Sequence, residues 1–242
     1  MWRALGVGDS AYALVIDPTF GPGVSAQAET AVEYVDSLYE RDFTNPITIN
    51  INVDGEVGGG GLGESSTNLQ LNVPYDQLRA ALTAEYATAP SAFRTTASGA
   101  GGSVNSTVDE PPGGTVAVPL AEAKALGLRA ANDPVSDGTF LYDSTASYTF
   151  DPNNRAVAGE FDFIGVAEHE ISEIMGRIDG VFNFGFGPAV VPYDLFYYTG
   201  VGVRLGGPAT PYFSIDNGVT DLHGYSTIGD LTTQEQLRIR LL

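Results

Sequence analysis

Cysteine is absent from the 242 residues, so no disulfide framework braces the fold and no thiolate is available to a metal or a substrate. Basic residues are scarce: 11 Lys and Arg stand against 30 Asp and Glu, for a net charge of −19. Phosphate backbones and anionic membrane surfaces repel such a chain, which argues against a nucleic-acid partner and against binding to acidic lipid. No apolar run approaches the roughly 18 residues that a spanning helix needs, so membrane insertion is not expected. The first twenty residues contain Asp9 and Asp17 and lack a basic segment followed by an apolar one, so they do not read as a signal peptide. A strongly acidic, lysine-poor surface fits a secreted or extracellular, calcium-rich setting, and the targeting segment would then lie outside this chain. Histidine occurs only twice, at His169 and His223, so any imidazole chemistry must use one of these.

One of the two lies in the most informative stretch of the chain, Ala167-Glu168-His169-Glu170-Ile171-Ser172-Glu173-Ile174-Met175-Gly176-Arg177. This is His-Glu-x-x-Glu, one residue away from the His-Glu-x-x-His of zinc peptidases. Residues i and i+4 share a helical face, so His169 and Glu173 are placed to hold one metal ion between them. A carboxylate is an acceptable replacement for the second imidazole, since zinc binds His nitrogen and Glu oxygen alike. Glu170, directly after the first ligand, projects beside the metal as a base for water. Ile164, Ala167, Ile171, Ile174, Met175 and Ile178 recur at three- and four-residue steps, which predicts a helix with one apolar stripe. His169 and Glu173 fall almost opposite that stripe, with Glu170 flanking them. Gly165 and Gly176 share the side of His169, and glycine is unfavourable inside a helix, so something is expected to approach that backbone closely. The competing reading is an acidic, solvated helix face.

After the helix, Gly176 and Asp179 extend the pattern to His169-Glu170-x-x-Glu173-x-x-Gly176-x-x-Asp179. A third ligand so close in sequence requires a sharp exit, for which Gly176 or Gly180 supplies a positive φ. Asp179 is therefore the candidate third ligand, against an ordinary post-helical turn. His223, in Asp221-Leu222-His223-Gly224-Tyr225, is the rival.

The run from Phe161 to Arg177 resembles a bacterial family of secreted metalloproteases whose helix reads His-Glu-Ile-x-Glu-x-Met-Gly-Arg. Asp194-Leu195-Phe196-Tyr197-Tyr198 is similar to that family's Asp-Leu-Phe-Arg-Tyr, with Tyr197 where an Arg is usual. Tyr212-Phe213-Ser214-Ile215-Asp216-Asn217-Gly218, Asn45 to Ile51 and Ala121 to Leu128 add to the likeness, which runs from about Ala13 to about Thr220. The resemblance implies a zincin-like α/β (α+β) fold: a mixed sheet on two long helices, a site helix bordering a cleft, and a loop-rich C-terminal third. It also implies peptidase activity on a peptide or protein. No Met follows Met175, so the Met-containing turn of the best-known zincin clan cannot exist here.

Elsewhere the reading is coarser. A strand is expected over Ala11 to Ile16, ending at Asp17-Pro18. A helix from Ser25 should bury Ala28, Ala31, Val32, Val35, Leu38 and Tyr39 and expose Glu29, Glu33, Asp36 and Glu40. Ile47 to Val53 alternates strictly and predicts a strand. Gly55 to Gly63 lacks the Gly-Lys-Ser/Thr ending of a phosphate loop and reads as a flexible loop over the cleft. Pro74 should start a helix through about Tyr86, with Leu78, Ala81, Leu82 and Tyr86 inward. Residues 97–115 read as a flexible insertion, and Pro119 to Leu128 as a short helix. Thr139 to Asp143 and Ser147 to Phe150 are expected to form a hairpin, with Asp151-Pro152-Asn153-Asn154 closing it. The tail carries a capping box, Thr232-x-x-Glu235. The chain is expected to be one domain, with 1–178 an upper lobe and 179–242 a smaller one.

The function expected is metal-assisted peptide hydrolysis. His169, Glu173 and Asp179 hold Zn²⁺, and Glu170 moves the proton. Tyr198, or Tyr193, donates to the oxyanion, although core packing is the ordinary role of either ring. Asp194 and Arg177 support the ligands from behind. Carboxylates in place of imidazoles shift preference toward harder ions such as Mn²⁺ or Ca²⁺. Two alternatives are an inactive peptidase-like binding or assembly module and a structural Ca²⁺ protein.

Overall fold

Alternation at Ile47–Val53 builds the centre of the main sheet, because Ile49, Ile51 and Val53 all face one way and are fully buried. The computed structural model describes residues 14–56, 61–88, 114–179, 190–204 and 210–224. In chain order it runs β1 (Val15–Phe20), α1 (Ala26–Asp42), β2 (Thr48–Glu56), β3 (Gly63–Thr67), β4 (Leu69–Pro74) and α2 (Tyr75–Thr88). It continues with β5 (Thr115–Pro119), α3 (Leu120–Ala125), β6 (Gly138–Asp143), β7 (Tyr148–Thr149), β8 (Phe161–Asp162) and α4 (Phe163–Ile174). A 3-10 turn (Pro192–Phe196) then leads to β9 (Tyr197–Gly200), β10 (Val203–Arg204), β11 (Tyr212–Phe213) and β12 (His223–Gly224).

The architecture is α+β. Its main sheet is mixed, in the order β1-β2-β6-β3, with β1, β2 and β6 parallel and β3 antiparallel at one edge. Helices α1 and α4 share one apolar core with this sheet, from Ala28, Val32 and Val35 on one helix to Ile164, Ala167, Ile171 and Ile174 on the other. Ser25 caps α1 as expected, its Oγ accepting from the Ala28 N–H at 3.2 Å. A second apolar cluster unites Val73, Leu78, Leu82, Val116 and Val118 with Val190, Leu195, Phe196 and Ile215. Residues on both sides of position 178 thus share that core.

Four expectations are corrected. Strand β1 does not stop at Asp17-Pro18 but runs through it, with Pro18 opposite Ile51. An edge strand tolerates proline because only one of its sides must donate to the ladder. The segments over 139–143 and 147–150 do not form a hairpin: β7 pairs in parallel with β8. Both sides of β6 are already taken, by β2 and by β3. Asp36, expected outside, is buried on the inner face of α1 at 4 % exposure. The loop expected over Gly55 to Gly63 is strand at both ends, with β2 running through Glu56 and the polar β3 starting at Gly63, and 57–60 lie outside the described residues. Most of the expected insertion, 97–113, lies outside the described residues, as do the tail capping box and Ala11 to Ala13.

Candidate metal centre

Helix α4 ends as its sequence requires. Gly176 has φ +120°, the Gly176 N–H donates to Glu173 O at 2.9 Å, and the Arg177 N–H donates to Ser172 O at 3.0 Å. This paired closure satisfies the last carbonyls and turns the chain sharply. A Cβ at Gly176 would lie 2.6 Å from the Glu122 carboxyl carbon, so space as well as φ demands glycine. At Gly165 a Cβ would lie 2.8 Å from Asp162 Oδ2 and 3.1 Å from Arg155 Nη2. What approaches the two glycines is therefore the protein's own carboxylates and an arginine.

The helix is enclosed rather than solvated. Glu168, His169 and Glu170 are only 3–4 % exposed. A solvated acidic face is thereby ruled out, since a buried carboxylate needs partners or a proton. Glu168 has Arg155, whose Nη2 lies 3.0 Å from its Oε2. Tyr39 of α1 donates to the Glu168 carbonyl at 2.7 Å.

His169 Nε2 lies 3.3 Å from Glu173 Oε1. For bonds near 2.1 Å, the edge of a tetrahedral zinc shell is about 3.4 Å, so this separation suits two ligands of one ion. His169, Glu170 and Glu173 each offer a ligand atom, all within 4.8 Å of one another, and no other such group occurs among the described residues. One imidazole and two carboxylates are a donor set that Zn²⁺, Mn²⁺ or Ca²⁺ accepts.

Strand β3 forms one wall of this group, and its polar sequence hid that role. Its residues facing α4 are Gly63, Ser65 and Thr67. Ser65 Oγ donates to Glu173 Oε2 at 2.6 Å, and Thr67 Oγ1 donates to the Glu173 carbonyl at 3.1 Å. A Cβ at Gly63 would lie 2.8 Å from Glu170 Oε1 and 2.5 Å from Val166 Cγ1. The only signal in the sequence was small and hydroxyl residues at period two. Burial alone would raise the Glu173 carboxyl, but His169, Arg177 and Ser65 outweigh it, and its pKa is held below the usual value.

Arg177 folds back over the helix. Its Nε donates to Ser172 Oγ at 2.7 Å, its Nη2 donates to the His169 carbonyl at 3.1 Å, and Nη2 is 3.7 Å from Glu173 Oε1. The expected support of the ligands by Arg177 thus has a direct geometric basis. Asp194 is fully buried and accepts from the Val191 N–H at 2.8 Å, closing the 3-10 turn.

No other candidate ligand joins the group among the described residues. Asp179 is half-buried and is not a member of it. Tyr198 is fully buried in the small sheet β10-β9-β11-β12, where its ring packs 6.4 Å from that of Tyr212. Tyr193 stacks on Phe213 with ring centres 5.4 Å apart. Burial pushes the Tyr193 phenol up to about 12, with Asp179 and Asp194 adding to the rise and the Arg177 charge opposing it. The backbone of His223 pairs with Phe213 in β12, and its side chain lies outside the described residues. Comparison with protein-family models, curated proteins and solved structures returns no match.

Proposed function

We propose that the chain is a secreted, zincin-like, metal-dependent peptidase centred on His169, Glu170 and Glu173. The observation that carries this reading is the 3.3 Å approach of His169 Nε2 to Oε1 of the half-buried Glu173, beside the buried Glu170. The position of β3 adds support. It is an antiparallel edge strand beside α4, with Glu64 and Ser66 exposed, and an extended peptide is the natural complement of an edge strand.

A divalent ion, zinc foremost with Mn²⁺ or Ca²⁺ as alternatives, would supply Lewis acidity toward a peptide carbonyl and toward water. His169 and Glu173 hold it. Glu170 accepts the proton of the attacking water and returns it to the leaving amine. Arg177 steadies the carbonyl of His169 and the carboxylate of Glu173. Tyr193 and Tyr198 remain the two candidate oxyanion donors, and Tyr198 is the more enclosed of them. Asp179 and His223 remain the two candidates for a third protein ligand. A second reading, an inactive peptidase-like binding or assembly module, draws its support from Asp179 lying outside the group.

Metal analysis of the chain purified without chelator or metal-affinity tag comes first, and a stoichiometric divalent ion is expected. His169→Ala should lose the ion. Glu170→Gln should keep it while casein hydrolysis falls by roughly 10²–10⁴-fold. Equal hydrolysis by wild type and Glu170→Gln, with metal bound in both, would transfer the argument to the inactive module.

A further inference from the structure

Glu173 has two carboxylate oxygens and three neighbours that compete for them. Oε1 lies 3.3 Å from His169 Nε2 and 3.7 Å from Arg177 Nη2, while Oε2 accepts from Ser65 Oγ at 2.6 Å. A guanidinium favours both oxygens of a carboxylate at once, in a planar fork. With Oε2 released, no other described residue of β3 holds the carboxylate against rotation onto Arg177. That rotation would turn the Oε1 lone pairs away from His169.

We propose that Ser65 is a positioning residue of the metal centre: its hydroxyl holds Oε2 so that Oε1 stays directed at the space shared with His169. The inference rests on the metal-site reading above. Its geometry is over-determined by the strand that carries Ser65. Ser65 is paired opposite Phe140 in the sheet, and Phe140 is fully buried in the main core, so the strand cannot shift freely. Two residues along, Thr67 Oγ1 donates to the main-chain carbonyl of the same Glu173. Two residues back, Gly63 sits against Glu170 and Val166 with no room for a Cβ. Strand and helix are thus locked together at three successive inward positions, and the middle one is a short hydrogen bond to a ligand oxygen. Removing such a bond to a metal ligand ordinarily weakens metal binding by about 10- to 100-fold.

The test is zinc affinity of the full chain, measured by competition with a chromophoric chelator and supported by the visible spectrum of the Co²⁺-loaded protein. Ser65→Ala should bind zinc about 10- to 100-fold more weakly and alter the Co²⁺ bands. Ser65→Thr, which restores a hydroxyl at that place, should recover most of the affinity. Ser66→Ala removes the same group one position along, on the exposed side of the strand, and should leave affinity unchanged. Wild-type affinity in Ser65→Ala, or an equal loss in Ser65→Thr, overturns the role of Ser65 while leaving the metal centre standing. A wild-type chain that takes up no zinc, manganese or calcium overturns the metal reading, and this inference with it.

Discussion

Helices α1 and α4 share one core and carry several acidic residues each, yet they accommodate those acids in opposite ways. On α1, Glu33 is exposed and Glu29 and Glu40 are half-exposed, while the buried Asp36 has no hydrogen-bond partner on either oxygen among the described residues. Burial, followed by the charges of Glu40 and Glu33, pushes the Asp36 carboxyl up to about 8. On α4 the carboxylates meet donors instead: Arg155 reaches the buried Glu168, and Ser65 reaches the half-buried Glu173. The Glu173 carboxyl is accordingly held low. A buried acid survives either by keeping its proton or by receiving partners, and only the second kind stays ionised for a cation at neutral pH. An acidic helix face is therefore a poor guide to function until its partners are known.

The strongest blow to the α4 side of this contrast is Gly176→Ala. The substitution meets both a positive φ and the Glu122 carboxyl, so it should destabilise the fold by about 3 kcal/mol or more in urea unfolding. A loss below about 1 kcal/mol would mean that Glu122 moves aside freely and that the exit of α4 is not rigid.

On the α1 side, Asp36→Asn should stabilise the chain, in a pH-dependent way. The folded Asp36 keeps its proton up to about pH 8, whereas the unfolded residue loses it near 3.8. Between those values the unfolded state binds fewer protons, so stability falls as pH rises, by at most roughly 1.4 kcal/mol per pH unit. Below the lower value the contribution of the protonated group is fully present. The asparagine has no proton to lose, so its advantage should open above about pH 4 and grow steadily toward pH 8. An advantage that does not change with pH would show that Asp36 is ionised inside the fold.

The smallest effect belongs to the link between the two helices. Tyr39→Phe removes the 2.7 Å hydrogen bond from α1 to the Glu168 carbonyl and should cost about 1 kcal/mol. Amide exchange at the start of α4 is the finer readout, and unchanged protection there would mean that α1 does not steady the site helix.

Much of both apolar clusters was legible beforehand. The alternation at Ile47–Val53, the cap at Ser25 and the burial of Ala28, Ala31, Val32 and Val35 on α1 and of Leu78 and Leu82 on α2 follow from local periodicity, and the structure keeps them, while the Tyr86 side chain lies outside the described residues. The misread segments share a cause. Gly63–Thr67 contains no apolar residue and exists as a strand only because β6 has a free side to offer. The segment at 148–149 has strand character, but its partner is decided by which sides of β6 are already occupied. Edge proline in β1 and burial of Asp36 belong to the same class, since neither depends on neighbours in sequence.

The sequence by itself determined helix α4: its apolar stripe, the i and i+4 placement of His169 and Glu173, the adjacent Glu170, and the glycine exit at Gly176. Helical geometry repeats every 3.6 residues, so these relations are set by covalent spacing alone. Only the tertiary structure decided what meets that helix. Ser65 reaches Glu173 across 108 positions of sequence, Tyr39 reaches Glu168 across 129, and Asp179, six residues from Glu173, is not a member of the group. Such meetings depend on strand pairing and on the shape of a shared core, and no spacing along the chain encodes them.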